Sequence, residues 1–228
     1  MTEPPIRCRD LCVGYNGDEV LEDLSFTVPH GETVALVGRS GCGKTTLLKT
    51  LAGILPPLAG EATVLGSTLP NPPPAGTLGY IPQSLGLVPH ESALRNVLHG
   101  RLSELGRFRS LLGRFPEGAE NEALEALDRV GLSGKERSRV KELSGGQQRR
   151  VAIARAFVQE PDVLLADEML SELDHETAGS IVRCLEDLQG ETGMTVVIVE
   201  HNVEIADDIS NTVLSLGGEG IKPVTRAA

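Results

Sequence analysis

The stretch that decides the fold is Thr33–Leu51, which reads TVALVGRSGCGKTTLLKTL. Its first five residues are β-branched or apolar with no polar alternation, which is typical of a strand buried on both faces of a parallel sheet. Leu47, Leu48 and Leu51 follow at helical spacing, and Gly53 with the prolines after it predicts where that helix stops. The stretch therefore predicts a buried strand, a glycine-rich turn and a helix.

The turn has the pattern Gly-x-x-x-x-Gly-Lys-Thr of the phosphate-binding P-loop. Glycine allows several backbone N–H groups to converge on one anion, and the helix that follows directs its positive end at the same place. Lys44 would reach the β- and γ-phosphates of a nucleotide, and the Thr45 hydroxyl suits Mg²⁺. The bland alternative is a glycine-rich turn with no ligand. The predicted phosphate-binding residues are Gly38, Arg39, Ser40, Gly41, Cys42, Gly43, Lys44, Thr45 and Thr46.

Two later apolar runs also end in polar residues. Residues 163–166 precede Asp167 and Glu168, and residues 195–199 precede Glu200 and His201. Ligands bind outside the carboxyl ends of parallel strands, so we expect these side chains to meet the P-loop at one edge of one sheet. Asp167 would then hold Mg²⁺ through water, Glu168 would be the general base for the attacking water, and His201 would contact the γ-phosphate.

Each of these assignments has a plainer alternative. Asp167 and Glu168 alone could be a pair facing solvent at a strand end, and His201 alone could be an ordinary surface or core histidine. The presence of a P-loop in the same chain favours the catalytic interpretation.

The remaining strands and helices follow from shorter patterns. Strands are predicted at 6–15, 24–28, 60–66, 77–81 and 212–216, the first two around an Asn-Gly turn. Residues 93–159 have helical patterns, with Ala123, Leu124, Leu127 and Val130 expected on one buried face. The last of these helices is predicted to begin after Gln147 and to end before Pro161. A further helix is predicted with Asp174 as its N-cap, Gly190 at its end and an apolar stripe of Ala178, Ile181, Val182, Leu185 and Leu188.

The predicted fold class is α/β. It consists of a P-loop NTPase core with a mainly parallel sheet, an N-terminal antiparallel β sub-domain and an inserted helical sub-domain. Residues 1–228 would form a single domain, with the core at 1–83 and 160–228 and the helical sub-domain at about 84–159.

Composition limits the compartment and the partners. The chain of 228 residues carries 21 Lys and Arg against 32 Asp and Glu, a net charge of −11, which argues against nucleic acid as a main partner. Its four cysteines lack a C-x-x-C pair and are expected to be free thiols in a reducing compartment. No signal peptide or membrane-spanning run is predicted, so any membrane contact would come through a partner.

A second glycine-rich turn, Leu143–Gln147 (LSGGQ), begins a predicted helix and could also bind an anion. This second anion site lies in a different predicted sub-domain from the P-loop. A head-to-tail pair of subunits would bring the P-loop of one against the second turn of the other, giving two equivalent sites.

The P-loop, Gln83, Leu143–Gln147, Asp167 with Glu168, and His201 together closely resemble the nucleotide-binding subunits of ABC transporters. The resemblance covers essentially the whole chain in the right order. It implies a homodimer that binds ATP and Mg²⁺ at the cytoplasmic face of the cell membrane as a peripheral subunit. It also implies two integral-membrane permease subunits and an extracytoplasmic solute-binding protein as partners.

The resemblance also implies roles for single residues. Tyr15 matches the aromatic residue that stacks on adenine, and Gln83 matches the glutamine that approaches Mg²⁺ and the lytic water and senses the membrane subunit. The residues of the signature, Ser144, Gly145, Gly146 and Gln147, match those that bind the partner's nucleotide. Asp174 matches an aspartate that communicates across the dimer.

One departure from the family pattern is Met169, where a proline usually follows the catalytic glutamate. Proline would stiffen this turn, so methionine is expected to loosen it and to alter coupling across the dimer without affecting ATP binding.

The type of transporter is indicated only by segments 96–102, 109–115, 126–132 and 147–150 and the stretch 166–168, which look like those of phosphonate importers. The expected function is therefore an ATPase that energises import of a small anionic solute, with phosphonate favoured. The alternatives are the ATPase of another ABC importer or exporter, for phosphate or another solute, a soluble ABC ATPase that is not part of a transporter, and an ATP-binding scaffold without turnover.

Overall fold

The computed structural model describes residues 3–104, 115–170, 173, 175–217 and 220–224. Within these ranges the strands form two sheets with helices packed against them. The larger sheet has the strand order β10-β9-β3-β8-β7-β6, in which every neighbouring pair is parallel except β9 and β10. Its strands are β3 (Thr33–Val37), β6 (Leu78–Ile81), β7 (Val163–Asp167), β8 (Thr195–Glu200), β9 (Thr212–Gly217) and β10 (Gly220–Pro223).

The smaller sheet is antiparallel and has the strand order β2-β1-β4-β5. It is built around the hairpin that turns at Asn16 and Gly17, both of which have positive φ. This φ region suits the Asn-Gly pair of a tight hairpin turn. The strands are β1 (Ile6–Tyr15), β2 (Asp18–Val28), β4 (Ala59–Val64) and β5 (Ser67–Thr68).

The helices cover both faces of the larger sheet. A single helix, α1, follows the P-loop, and α2, α3 and α4 come from the helical part of the chain. The helices are α1 (Lys44–Leu51), α2 (Ala93–Leu98), α3 (Ala119–Arg129), α4 (Gly145–Gln159), α5 (His175–Thr192) and α6 (Val203–Ile209). No helix within the described ranges combines the length and the apolar character needed to cross a bilayer.

The central strands are apolar throughout because both of their faces are buried. In β3, Val34 and Leu36 pack into a core shared with α1 and the antiparallel sheet. Ala35 and Val37 point to the opposite face and pack into a second core, which they share with the helical segment formed by α2, α3 and α4. Alternate residues of one strand thus enter different cores, which is why no polar residue interrupts the run.

Three details of the predicted helices are wrong. Leu124 is an exposed residue, because the buried face of α3 runs through Ala119, Ala123, Ala126 and Leu127 instead. Helix α4 begins at Gly145 inside the signature, since Ser144 already caps it. Helix α5 continues past Gly190 to Thr192, and the left-handed residue that follows it is Gly193, with φ 70°.

Three short elements were not predicted. These are β5, β10 and α6, of two, four and seven residues. Each is too brief for its periodicity to be distinguished from a loop. Strand β2 also extends six residues further toward its N-terminus than expected, to Asp18, where the residues are mostly polar and exposed.

Strand β8 ends in Glu200, an acidic side chain that is only 2% exposed. Its Oε1 accepts a hydrogen bond from the backbone N–H of Leu170 at 3.3 Å. Burial raises the pKa of this carboxyl from 4.5 to about 7; the nearby Glu168 carboxylate adds to the rise, while hydrogen bonds from backbone N–H groups oppose it. Because the folded state favours the protonated form, the stability that this group contributes is present below its unfolded pKa and is lost as the pH rises toward 7.

Glutamine at this position should remove the pH-dependent loss, because its side chain imitates the protonated acid. We expect Glu200→Gln to raise the free energy of unfolding relative to wild type by more at pH 8 than at pH 5, by on the order of 1–3 kcal/mol. Urea melts of both proteins at the two pH values measure this difference. The exposed Glu204→Gln is the control, and a Glu200→Gln effect of equal size at both pH values would contradict the prediction.

Candidate nucleotide-binding site

The P-loop wraps around the N-terminus of α1. Gly43 is the N-cap of that helix, with φ 103°, and Lys44, its first residue, is only 4% exposed. The Lys44 Nζ donates to the backbone oxygens of Gly38 at 2.7 Å and Arg39 at 3.1 Å, and it lies 3.4 Å from the Nδ1 of His201. A positive side chain and the positive end of a helix thus meet at one point, which suits an anionic ligand.

Two glycines of the loop are required by their surroundings. A Cβ on Gly43 would lie 2.7 Å from a methyl group of Val20 and 2.8 Å from the side chain of Leu21. A Cβ on Gly38 would lie 2.7 Å from the backbone oxygen of Leu216. All three distances are shorter than real Cβ contacts, so the loop can follow this path only with glycine at these positions.

Asp167 ends β7 beside the loop and is 1% exposed. Its Oδ1 accepts a hydrogen bond from the Thr45 hydroxyl at 3.2 Å, whereas its Oδ2 is buried without a hydrogen-bond partner. Burial raises the pKa of this carboxyl above its ordinary value, and the Thr45 hydroxyl works against that rise. A buried carboxylate oxygen without a partner, next to a hydroxyl, is the donor set that a hard cation such as Mg²⁺ prefers.

The described residues hold no group of three or more His, Cys, Asp or Glu side chains arranged around a common point as metal ligands. Mg²⁺ does not require such a cage, because it usually keeps several waters and takes one or two protein oxygens together with the phosphates of its nucleotide. Thr45 and Asp167 therefore fit Mg²⁺ better than they fit a metal bound by protein ligands alone.

Glu168 is held from both sides. Its backbone is in the left-handed region, with φ 52°, and its N–H donates to the oxygen of Val199 at 3.1 Å. The Gln83 Nε2 donates to its Oε2 at 2.7 Å, and the His201 Nε2 lies 2.5 Å from its Oε1. The Glu168 side chain is 13% exposed, so the carboxylate is fixed in orientation at the rim of the site. A non-glycine residue at positive φ is uncommon and often marks a functional position.

These groups border a cleft of about 300 Å³. Tyr15, 39% exposed, forms part of its wall, and its hydroxyl receives a long contact of 3.5 Å from the Thr46 hydroxyl. Val20 was not predicted; as an exposed apolar residue on β2 it resembles many surface residues and gives no signal in the sequence. The residues lining the cleft are Tyr15, Val20, Gly41, Gly43, Lys44, Thr45, Thr46 and Glu168.

Among the described residues that line this cleft, none belongs to the predicted signature, Ser144 to Gln147. The signature residues form the N-terminus of α4, where the Ser144 hydroxyl accepts from the N–H of Gln147 at 3.3 Å and the Gln147 Oε1 accepts from the N–H of Ser144 at 3.0 Å. This reciprocal pair is a capping box. Asp174 and residues 109–114 of the segments that look like phosphonate importers lie outside the described residues.

Met169 is completely buried, and its side chain belongs to the core shared with the helical segment. The residue after it, Leu170, is bound through its N–H to Glu200. The loosening of this turn by methionine stays a prediction.

The family model for the ABC transporter matches residues 21–171. Among curated proteins, the chain is 39% identical over 227 residues to the phosphonates import ATP-binding protein of Stutzerimonas stutzeri, covering 93% of this chain and 81% of that protein. It is 36% identical over 222 residues to the hypophosphite import ATP-binding protein of the same organism. That alignment covers 95% of this chain but 65% of the relative, less than two thirds of its length.

Solved structures have the same fold. A dimeric ATP-binding cassette in a post-hydrolysis state, bound to ADP and Pi, superimposes with a TM-score of 0.82 at 26% identity, covering 97% of this chain and 100% of that one. A putative metal-chelate type ABC transporter in an inward-facing conformation gives a TM-score of 0.82 at 29% identity, with 97% and 83% covered. These neighbours confirm the predicted α/β fold class. The chain therefore belongs to the ABC transporter family, as an ATP-binding cassette that hydrolyses ATP.

Proposed function

We propose that this cassette energises the import of a small phosphorus oxyanion, with phosphonate as the cargo, and that Glu168 is its catalytic base. The observation that supports the catalytic assignment is the carboxylate of Glu168, held between the Gln83 amide and the His201 ring at 2.7 and 2.5 Å beside the P-loop. A general base must have a fixed direction toward the water that it deprotonates, and two contacts from different strand ends supply it.

The nucleotide would occupy the cleft in a defined direction. Tyr15 provides an exposed aromatic face for the adenine, while the backbone N–H groups of the P-loop and Lys44 bind the phosphates. Lys44, now bonded to the Gly38 and Arg39 oxygens, would exchange these for phosphate oxygens, which form stronger charge-assisted hydrogen bonds. His201, 3.4 Å from Lys44, would lie next to the γ-phosphate.

Thr45, Asp167 and Gln83 would hold Mg²⁺. When bound, the ion neutralises charge on the β- and γ-phosphate oxygens. Asp167 would hold the ion through water with the carboxylate oxygen that has no hydrogen-bond partner, and the Thr45 hydroxyl beside that carboxylate would be a further ligand. The Gln83 amide already bonds to Glu168, so it can orient the carboxylate and the water together.

The complete ATP site would be formed between two copies of the chain. Ser144, Gly145, Gly146 and Gln147 stand at the N-terminus of α4, away from the cleft of their own subunit, where they can bind the nucleotide of a partner. Asp174 would communicate across the same seam. The dimeric cassette with ADP and Pi supports this arrangement.

The homodimer would act as a peripheral complex on the cytoplasmic face of the membrane, with two permease subunits and an extracytoplasmic solute-binding protein. The surface that contacts the permease would lie at residues 83–92, where the core (1–83 and 160–228) joins the helical sub-domain (about 84–159).

The proposal that phosphonate is the cargo rests on the phosphonate and hypophosphite relatives, both of which are named for oxyanions of phosphorus. No solute would touch this subunit.

The catalytic role of Glu168 is tested by Glu168→Gln, which keeps the shape of the side chain but removes the base. We expect the ATPase rate to fall by about 10²–10⁴-fold, while Mg-ATP still binds and now holds the subunits as a dimer. Steady-state ATPase assays and size-exclusion chromatography with Mg-ATP measure the two effects. A rate equal to that of wild type would remove Glu168 from this role, and a strictly monomeric variant, also on its permease, would rule out the two-subunit site.

Cys42 offers a separate test of the P-loop. Its side chain is half-buried among the residues of the loop, whereas Cys8 and Cys12 lie buried in β1, and burial raises the pKa of both thiols, that of Cys8 to about 12. In a Cys184→Ser background, we expect alkylation of Cys42 to block nucleotide binding, because the adduct would fill the loop. Fluorescent ATP-analogue binding before and after treatment measures this, with Cys42→Ala as the resistant control. Full ATPase activity after complete modification would contradict the prediction.

Transport assays decide the cargo. With its permease and binding protein in vesicles, the cassette should drive uptake of methylphosphonate, and hypophosphite and phosphate are the competitors to compare. Uptake should vanish with Glu168→Gln, because accumulation against a gradient needs hydrolysis. Uptake of phosphate alone, or export of any of these, would overturn the phosphonate assignment while leaving the ATPase intact.

A further inference from the structure

Helix α4 also contacts the loop that follows Gln83, through Arg155, which lies ten residues after the first residue of the helix, Gly145. The half-buried Arg155 donates from Nη1 to the backbone oxygen of Gly86 at 2.7 Å and from Nη2 to that of Leu85 at 2.9 Å. Burial lowers the pKa of this guanidinium, so the two carbonyls replace water that the charge has lost. The planar fork of arginine can hold two adjacent carbonyls at once, which fixes their orientation as well as their position.

The two carbonyls belong to the loop that carries Gln83. The N–H of Leu85 donates to the oxygen of Pro82 at 2.7 Å, which closes a turn with Gln83 as its second residue. Leu85 and Gly86 are both left-handed, with φ 63° and 58°. A leucine in this region is strained and persists only when neighbouring contacts hold it, and the Arg155 hydrogen bonds supply such contacts.

A second side chain of the helical segment holds the loop further along. Asn96, which is fully buried on α2, accepts from the N–H of Val88 at 2.7 Å and donates to the Val88 oxygen at 3.1 Å. The loop after Gln83 is thus fastened to the helical segment at 85–86 and at 88. On the core side, the Gln83 side chain itself bonds to Glu168 at 2.7 Å.

We propose that Arg155 is a positioning residue for ATP hydrolysis, which ties helix α4 to the Gln83 loop and thereby sets the distance from Gln83 to Glu168. The inference rests on the proposed roles of Gln83 and Glu168. Its consequence is directional: a nucleotide bound at the Ser144 end of α4 moves a rigid helix whose other half holds the Gln83 loop of the same subunit. Binding at one site of the dimer then adjusts the base at the other.

Arg155→Lys tests the fork, because lysine keeps the charge and suits a helix but cannot hold two carbonyls in one plane. We expect kcat to fall by about tenfold, since a misplaced catalytic group is costly. The KM for Mg-ATP should stay within about twofold, because Arg155 is not among the residues lining the cleft.

The decisive measurement is a double-mutant cycle with Gln83→Ala. If Arg155 acts through Gln83, the variant carrying both changes should hydrolyse ATP at the rate of Gln83→Ala alone, within about twofold. If Arg155 only stabilises the fold, its substitution should lower the rate equally with or without Gln83. That result, or a Gln83→Ala rate equal to wild type, would overturn the inference.

Arg150 provides a matched control on the same helix. Its guanidinium donates to the backbone oxygen of Val130 and to the Ser180 hydroxyl, both at 2.7 Å, and contacts no residue of the Gln83 loop through these bonds. Arg150→Lys should leave kcat within about twofold of wild type. A tenfold loss in this control as well would show that any arginine of the helix has the same effect and would overturn the specific role of Arg155.

Folding is checked by thermal melts of every variant. Should Arg155→Lys lose its cooperative melt, the neutral Arg155→Gln takes its place in the cycle, and loss of the fold in both overturns the inference in favour of a purely structural role. Glu168→Gln distinguishes failure of this inference from failure of the proposed function. If Glu168→Gln keeps the wild-type ATPase rate, the proposed function fails. If Glu168→Gln is inactive but Arg155→Lys hydrolyses ATP at the wild-type rate, only the role of Arg155 is removed.

Discussion

The parallel register of three buried strands determines this site. β3 pairs with β8 so that Val37 lies opposite Glu200, and β8 pairs with β7 so that Val199 lies opposite Asp167. The three strands therefore end almost level, and the residues that follow them meet. A shift of one residue would exchange the two cores of the sheet, so the packing of the apolar side chains fixes the register. The packing of the apolar side chains therefore sets the relative positions of the polar side chains at the strand ends.

The strand ends concentrate carboxylates in a chain that is already acidic. Asp167, Glu168 and Glu200 share one edge, and two of them are almost completely buried. Each is matched to a different group: Asp167 to the Thr45 hydroxyl, Glu168 to Gln83 and His201, and Glu200 to the N–H of Leu170. The anion-binding groups, which are the P-loop backbone and Lys44, lie next to these carboxylates: the Thr45 hydroxyl bonds to Asp167, and His201 lies between Lys44 and Glu168. This proximity is what the proposed site needs to receive a triphosphate and a cation together.

The sequence alone predicts the parts of this structure whose pattern is dictated locally. All-apolar runs flanked by turn residues can hardly be anything but buried strands, and the P-loop spacing reflects what a phosphate requires of a backbone. The errors occur where several local solutions are equally good. Leu124 would fit a buried helix face that is displaced by one residue from the observed face, and Gly190 could end a helix as well as Gly193 does. Arg155 gives no signal, because its partners are backbone carbonyls 69 and 70 residues away, and a carbonyl is present at every position.

The hydrogen bonds at the start of helix α4 differ in kind from those in its second half. At its start, the Ser144 hydroxyl and the Gln147 side chain satisfy each other's backbone N–H groups in an exposed capping box, an arrangement that contributes only about 1 kcal/mol. In the proposed two-subunit site, phosphate oxygens would accept stronger, charge-assisted bonds from the same N–H groups, so a nucleotide would displace the box at small cost. In its second half, the half-buried Arg155 donates hydrogen bonds to two backbone carbonyls of the Gln83 loop. In the proposed coupling, the helix would exchange its partners at its N-terminus, keep them at Arg155, move as a unit and carry the Gln83 loop with it.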